Sequence, residues 1–398
     1  MRTLLIILDS VGIGAAPDAA DFNDTGAATL QNTSEKAGPL ALPQLGRMGL
    51  GNIPALIPGG RPVRGVPPAQ EPTASFGAMR EVSLGKDTTT GHWEIGGLLL
   101  ERPFHVFPPG PPSFPGGLVS EFERRTGRRL IGNKAASGTA IIDELGPEQI
   151  RTGAWIAYTS ADSVFQIAAH EEIMPPEELY AACRIARELC NPLRIGRVIA
   201  RPYVGRPGSF QRTGNRRDFS FPIPKPTILD HLESFGIPVY AVGKIEDIYD
   251  HRGISKSWHT SNTRDSGARV LDLVRQGVSG LVIANFIDFD MLYGHRRDPA
   301  GYARALEEVD RYLSQLLPLL APGDLLLITA DHGNDPTFRG TDHTREYVPL
   351  LAYQPGIAGR SLGVRHGFYD VAQTLAARFG LPPMPLGVAA LEFPPAAG

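Results

Sequence analysis

The alternation of apolar and polar positions along the chain predicts an α/β fold. Short apolar runs that end in polar residues are typical of buried strands in a parallel sheet. Such runs cover residues 3–8, 237–242, 281–286, 325–329 and 348–353. Helical spacing of apolar residues covers 227–235, 266–276, 299–317 and 370–379. We therefore expect a mostly parallel sheet flanked by helices. Asp298 and Pro299 are residues favoured at a helix start, so we expect the long helix to begin there.

Two Pro-rich stretches interrupt this rhythm and predict an inserted domain. The first covers residues 102–117 and the second 221–226, and such a density of Pro and Gly suits neither a helix nor a central strand. The segment between them has its own strands, at 155–159 and 196–200, and a helix at 176–190. We predict a core domain of residues 1–100 and 222–398, with a smaller domain of residues 101–221 inserted. Residues 15–80 show little periodicity and are predicted to form loops.

Composition narrows the class of protein. The 398 residues are 42% hydrophobic with a net charge of −3, so no overall field attracts nucleic acid or a membrane surface. We find no apolar run of about 18 residues, so we expect no transmembrane helix, and the N-terminal run reads as a strand rather than a signal peptide. Cys183 and Cys190 lie about 10 Å apart along a predicted helix, beyond disulfide reach. We interpret them as free core thiols of a cytoplasmic protein.

Three of the apolar strands lead into an acid, and histidines follow close behind. The carboxyl ends of strands in an open α/β sheet are where ligands bind, and Asp and His are common ligands of Zn, Mn and Fe. Three carboxylates at one edge would repel one another unless cations neutralised them. Since one metal takes about three protein ligands, six candidates suggest two metals, an arrangement suited to phosphoryl transfer. The six candidates are Asp9, Asp290, His295, Asp331, His332 and His343.

Two further stretches carry possible chemistry. Three hydroxyls, on Thr88, Thr89 and Thr90, could supply a nucleophile if a metal or base activated one of them, or they could simply cap a helix. The segment 194–217 holds seven arginines and no acid. It could be a solvated basic face or bind nucleic acid, but phosphate recognition by guanidinium groups fits better. Small polar groups at 158–163 suit sugar hydroxyls.

These motifs carry a family resemblance. The chain resembles the alkaline phosphatase superfamily of two-metal enzymes and, more narrowly, the bacterial phosphopentomutase family. The resemblance extends to about residue 370 and rests on strings at residues 85–94, 158–172, 196–202, 288–298, 329–335 and 341–346. It implies an alkaline-phosphatase-like core with an inserted α/β cap domain. It also implies interconversion of ribose 1-phosphate, or deoxyribose 1-phosphate, with the 5-phosphate. The route would use a phosphothreonine and a bisphosphate intermediate.

The resemblance also implies roles for single residues. Two divalent ions, usually Mn²⁺, would be held by two sets of ligands: Asp290, His295 and His343 for one ion, and Asp9, Asp331, His332 and the Thr88 oxygen for the other. Thr88 is preferred because related enzymes place the nucleophile three residues before the Gly of the Gly-His step, while Thr89 and Thr90 stay open as alternatives. A distal phosphate would be held by Lys244, Arg197, Arg201 and Arg212, and Asp162 would contact sugar hydroxyls.

The expected partners are small-molecule pentose phosphates, with neither nucleic acid nor a membrane. Two other interpretations stay open at this point. One is a metal-dependent phosphatase or phosphoglycerate mutase of the same superfamily. The other is a nucleic-acid-binding protein that uses the arginines of residues 194–217.

Overall fold

The computed structural model describes residues 1–160 and 163–393. The chain forms two compact units. One comprises Met1–Arg102 together with Pro224–Gly398, and the other comprises Pro103–Ile223. We refer to them as the core unit and the cap unit.

The strands and helices follow one another along the chain. The strands are β1 (Arg2–Leu8), β2 (Ser75–Met79), β3 (Leu130–Ala135), β4 (Trp155–Thr159), β5 (Val164–His170), β6 (Arg197–Val204), β7 (Gln211–Arg212), β8 (Arg217–Ser220), β9 (Val239–Val242), β10 (Lys256–Trp258), β11 (Gly280–Phe286), β12 (Leu325–Thr329), β13 (Val348–Tyr353) and β14 (Ser361–Arg365). The α-helices are α1 (Thr29–Ala37), α2 (Pro43–Arg47), α3 (Thr88–Ile95), α4 (Gly116–Thr126), α5 (Gly138–Thr152), α6 (Pro176–Cys190), α7 (Ile228–Ser234), α8 (Ile245–Ile248), α9 (Thr263–Arg275), α10 (Pro299–Leu316) and α11 (Asp370–Phe379).

The core unit is built on an eight-stranded sheet in the order β10-β9-β11-β1-β12-β13-β2-β14. The first five strands are parallel, β13 runs antiparallel to both β12 and β2, and β14 is parallel to β2. Every residue of β1, β11 and β12 is buried, as expected for the centre of a sheet covered on both faces. Helices α8 and α9 pack against β9 and β11. The predicted α/β class, with a mostly parallel sheet flanked by helices, is confirmed.

The helix starts follow local hydrogen bonding. Asp298 caps α10 by accepting a hydrogen bond from the Gly301 amide, with Pro299 as the first helical residue, so the predicted start is confirmed. Helix α9 begins three residues earlier than the apolar pattern predicted, because the Asn262 side chain accepts from the Asp265 amide and stabilises an additional turn.

The prediction of loops for residues 15–80 was wrong. This region contains α1, α2, strand β2 and short 3₁₀ turns. Helix α1 packs against α10, and the amides of Gln44 and Leu45 in α2 donate to the buried carboxylate of Asp310. Tertiary contacts therefore stabilise short helices whose own periodicity is too brief to detect.

The cap unit contains a six-stranded sheet whose main path is β3-β4-β5-β6-β7, with β8 also paired to β6. Successive residues of β4 point to opposite faces. Trp155 and Ala157 join a core with α4 and α6, and Ile156 and Tyr158 join a second core with α5. The unit therefore has helices on both faces of its sheet. Cys183 and Cys190 are buried, free thiols in α6.

Within the described residues, we find no helix that is both long and apolar enough to cross a bilayer.

Candidate functional site

Three adjacent strands of the core sheet end side by side. Strand β1 lies between β11 and β12, and Leu8 is in register with Phe286 while Ile7 is in register with Thr329. The chain segments that follow these residues carry Asp9, Asp290 and Asp331 to one edge of the sheet. The edge geometry thus arises directly from parallel pairing.

A turn of π-helix, Phe289–Gly294, places Asp290 and the following His295 at this edge. Such turns occur often at functional sites, because the wider turn redirects side chains. The neighbouring Asp288 does something different, since its carboxylate accepts a hydrogen bond from the Thr263 amide at the start of α9. Asp288 therefore bonds to the start of α9, whereas Asp290 lies at the sheet edge.

Asp290 lies between two imidazoles. Its Oδ2 is 3.1 Å from His295 Nε2, and its Oδ1 is 3.4 Å from His343 Nε2. The His295 ring is oriented by its Nδ1, which donates to the Thr341 carbonyl at 2.6 Å. Donating the far nitrogen to a carbonyl is a common way to aim the other nitrogen at a metal. These three side chains offer ligand atoms that all lie within 4.8 Å of one another.

A second group shares Asp290. Ligand atoms of Asp9, Asp290 and His332 also lie within 4.8 Å of one another, and His332 Nε2 is 3.5 Å from Asp9 Oδ1. Asp331 Oδ2 is 3.4 Å from the same His332 nitrogen. The structure thus brings all six predicted ligands together, and Asp290 bridges the two groups, which the sequence did not predict.

The electrostatics of this cluster favour a cation. Burial, together with the charges of Asp331 and Asp290, raises the pKa of Asp9 well above its usual value. Asp9 Oδ1 is buried without a hydrogen bond, although an unpaired buried carboxylate oxygen is costly. Burial lowers the pKa of His332, which favours the neutral, ligating imidazole. Oxygen and nitrogen donors in this arrangement fit divalent transition metals, so the cluster is a candidate site for such a metal.

The three threonine hydroxyls differ in their surroundings. Asp87 caps α3 by accepting from the amides of Thr89 and Thr90, and it also accepts the Thr90 hydroxyl at 2.6 Å. Thr88 is the first residue of α3, and its Oγ1 lies 3.2 Å from His332 Nε2. An N-terminal helix position favours negative charge on a bound group. The structure therefore places the Thr88 hydroxyl against the Asp/His cluster.

Sequence reasoning gave no role to several side chains that hold the cluster. His92 is fully buried, with its Nδ1 2.9 Å from the Thr88 carbonyl and 3.0 Å from Asp331 Oδ2. Its position four residues after Thr88 on a helix was the available signal. Asn285 donates to Asp9 at 3.0 Å and Asn334 donates to Asp290 at 2.7 Å. Asn285 is inside a strand, and its sequence position did not indicate this role.

The cap unit contains a separate basic cleft of about 210 Å³, lined by Arg201, Pro202, Arg212, Thr213 and Arg216. Two of these arginines were predicted to bind phosphate, and Arg216 was not. The start of α5 lies close to the cleft, because a Cβ at Gly138 would come 3.2 Å from Arg212 Nη1 and 2.7 Å from the Tyr158 hydroxyl.

The remaining predicted residues lie elsewhere. Arg197 is on β6, four residues from Arg201 and on the same face, with its Nη1 3.8 Å from Asp218 Oδ2. Lys244 follows β9 in the core unit, is exposed, and its charge acts to lower the pKa of Asp9 against the larger effect of burial. Asp162 is outside the described residues.

Comparisons with known proteins agree with a metal-dependent enzyme. The model of the Metalloenzyme superfamily matches residues 1–383. A phosphopentomutase of Anaeromyxobacter sp. (strain K) is 54% identical over 381 residues, which cover 96% of each chain. A phosphopentomutase of Caldanaerobacter subterraneus subsp. tengcongensis is 51% identical over 393 residues, 98% of this chain and 97% of the relative. The chain therefore belongs to the Metalloenzyme superfamily and, within it, to the phosphopentomutase family of enzymes.

Proposed function

We propose that this enzyme interconverts ribose 1-phosphate, or deoxyribose 1-phosphate, with the corresponding 5-phosphate through a phosphothreonine at Thr88. The observation that carries the proposal is the 3.2 Å approach of Thr88 Oγ1 to His332 Nε2 inside the Asp/His cluster. Phosphopentomutases at 51–54% identity to this chain support a pentose phosphate as the substrate class.

The proposed metal centre would hold two divalent ions, which we assign as Mn²⁺. One ion would take Asp290, His295 and His343, and the other Asp9, Asp331, His332 and the Thr88 oxygen. When bound, the ions would neutralise charge that develops on the transferring phosphoryl group. The overlap of the two ligand groups at Asp290 supports a pair of neighbouring ions rather than one.

The chain's own residues would act in sequence. Phosphorylated Thr88 gives its phosphate to the free hydroxyl of the bound sugar phosphate, so the bond from Oγ1 to phosphorus breaks and a bond from the sugar oxygen forms. The resulting bisphosphate returns its other phosphate to Thr88. Helix α3 presents its amino end to these charges. His92 would hold Thr88 and Asp331 in a fixed relation through its two contacts.

The cap cleft would bind a phosphate group of the substrate. Arg201 and Arg212 line it, and guanidinium groups bind phosphate through paired hydrogen bonds. Arg197, Lys244 and Asp162 keep their predicted roles as substrate contacts in this proposal. The buried free thiols of Cys183 and Cys190 fit work in the reducing cytoplasm.

Phosphorus NMR tests the proposal directly. Ribose 1-phosphate is supplied with Mn²⁺ and a priming sugar bisphosphate, and the product signals are followed over time. The proposal expects the 5-phosphate to accumulate to equilibrium with little free phosphate. Release of stoichiometric inorganic phosphate would instead identify a phosphatase, and no reaction of the pentose phosphate would contradict the substrate assignment.

A further inference from the structure

The segment Thr341–Glu346, which includes the predicted ligand His343, contains two buried ionisable side chains that the proposed mechanism does not use. Arg345 and Glu346 directly follow Thr344 in the segment after His343, and they are 1% and 2% exposed. Fully buried charged side chains are uncommon unless they are paired. What they contact indicates why the fold keeps them.

The Arg345 guanidinium holds the loop that leads to Thr88. Its Nη1 donates to the carbonyls of Ser83 and Gly85, at 3.0 and 2.5 Å, and to the Glu81 carboxylate at 2.6 Å. Its Nη2 donates to the Glu81 carbonyl at 2.8 Å and to Asp18 at 2.9 Å. Three backbone carbonyls from one loop on one guanidinium fix that loop in a single conformation.

A second tie holds the same loop to the same segment. The amide of Arg345 donates to Asp24 Oδ2 at 2.8 Å, and Lys86 Nζ lies 3.0 Å from that oxygen. Lys86 Nζ is also 3.1 Å from Asp342 Oδ2. An ion pair thereby joins Lys86, two residues before Thr88, to Asp342, which directly precedes His343.

Glu346 holds the loops that follow β1 and β12. Its carboxylate accepts from the Gly14 amide at 3.2 Å, the Thr29 amide at 2.8 Å and the Thr29 and Thr344 hydroxyls at 2.6 and 2.7 Å. The carboxylate is in close contact with Gly333, where a Cβ would come 2.5 Å from its Oε1.

The surrounding backbone has the same arrangement. Thr344 and Gly333 exchange two amide–carbonyl hydrogen bonds, at 2.8 and 3.1 Å, and the Ile13 amide donates to the Tyr347 carbonyl at 2.8 Å. The segment therefore lies between the loop that begins at Asp9 and the loop that begins with Asp331 and His332. Neither Arg345 nor Glu346 is within the ligand groups themselves.

We infer that Arg345 and Glu346 are positioning residues, each for a different part of the reacting centre. Arg345 sets the distance of Thr88 from the metal ligands, and Glu346 sets the distance between the loops that carry Asp9 and Asp331–His332. Because the two residues are adjacent, one short segment after His343 fixes the geometry of the whole reacting centre. This inference rests on the proposed function, since it assumes that Thr88 is the phosphate acceptor.

Two substitutions test the positioning roles of Arg345 and Glu346 separately. Arg345→Lys keeps the charge but cannot reach the three carbonyls and both carboxylates together. It is expected to lower kcat at least tenfold, with KM for ribose 1-phosphate and the midpoint of a Mn²⁺ titration within threefold of wild type. Glu346→Asp keeps the carboxyl group but shortens the side chain by about 1.5 Å. It is expected to weaken Mn²⁺ binding at least tenfold, measured by electron paramagnetic resonance of the free ion.

Arg2→Lys is the matched control. Arg2 is a largely buried cation of the same sheet, paired with Asp324 and bonded to the Val274 carbonyl, far along β1 from Asp9. It is expected to lower the thermal midpoint without changing kcat or Mn²⁺ affinity. If Arg345→Lys does not fold, Asp18→Ala removes one partner of the guanidinium and is expected to lower kcat at least fivefold.

The inference is overturned if the folded variants keep both kcat and Mn²⁺ affinity within threefold of the control. It is also overturned if both variants lose kcat and metal affinity in the same proportion, because that would indicate a merely structural role. Failure of the proposed function is recognised separately, in the wild-type enzyme. It would appear as release of free phosphate, or as phosphate on a residue other than Thr88, whatever the variants do.

Discussion

The Asp/His cluster of the core unit and the basic cleft of the cap unit are built in opposite ways. Asp9, Asp331 and His332 are at most 2% exposed and follow directly on buried parallel strands. Arg212 lies in the short strand β7, and Arg216 lies in the turn between β7 and β8. Both residues are exposed. One site is fixed by the sheet, and the other depends on long side chains.

This difference suits two kinds of task. Groups that stabilise developing charge work best when they are preorganised and need not move during the reaction. Side chains that bind a phosphate have only to reach it, and a flexible arginine can do so at some cost in conformational entropy. Even so, Arg216 is already engaged, since it forms two 2.7 Å hydrogen bonds with Asp218. The cleft is therefore partly organised before any ligand binds.

Asp290→Asn is predicted to have the largest effect, because Asp290 belongs to both ligand groups. Losing a partner behind a metal ligand typically costs roughly 10- to 100-fold in metal affinity or activity, and losing a shared ligand should cost more. Turnover of ribose 1-phosphate and Mn²⁺ stoichiometry by elemental analysis measure the effect. Asp288→Asn is the control, since that side chain can still accept from the Thr263 amide. If both variants lose metal equally, the separation of roles within this turn is wrong.

Arg212→Ala is predicted to have an intermediate effect that is confined to substrate binding. A hydrogen bond to a charged group contributes about 1.5–3 kcal/mol, and the exposure of Arg212 favours the lower figure. KM for ribose 1-phosphate should rise about tenfold, with Mn²⁺ affinity unchanged. Arg206→Ala, in the same basic segment but outside the cleft lining, should leave KM unchanged. Equal effects of the two substitutions would show that the segment acts only through its overall charge.

The titration of Glu346 is predicted to have a smaller effect, on the free energy of unfolding rather than on turnover. Burial, with the charge of Asp335, raises the pKa of Glu346 to about 7, above an unfolded value of about 4.3. The folded state then binds the proton more tightly, so this contribution to stability is complete at acid pH and is lost as pH rises through 7. Between pH 5.5 and 8 the wild type should lose roughly 2 kcal/mol more than Glu346→Gln, measured by urea unfolding of metal-free protein. Parallel pH dependences would contradict this pKa.

The Asp/His cluster could be predicted from the sequence because the hydrophobic pattern and the sheet topology both place its acids at one edge of the core sheet. An apolar run followed by Asp places that acid at a strand end, and parallel pairing then brings the three ends together. The sharing of Asp290 between groups depends on the π-helical turn at Phe289–Gly294, which no periodicity indicates. The role of His92 also depends on how α3 packs against the strand-end loops.

The cap was less predictable for a physical reason. Seven arginines in 24 residues predict a basic surface, but strand pairing decides which of them meet. Arg201 and Arg212 meet because β6 and β7 pair with Tyr203 opposite Arg212. Arg197 instead lies beside Asp218 because β8 pairs with β6, with Arg197 opposite Ser220. Register of this kind comes from turns and packing and not from composition.

The measurement that tests the central claim most directly is to locate the phosphate on the enzyme. Protein incubated with Mn²⁺ and a ribose bisphosphate is quenched, digested and sequenced by mass spectrometry, beside Thr88→Ala and Thr90→Ala variants. The account predicts a phosphate on Thr88 in the wild type and in Thr90→Ala, and no phosphate in Thr88→Ala. A phosphate on Thr89 or Thr90, or full turnover by Thr88→Ala, would contradict it.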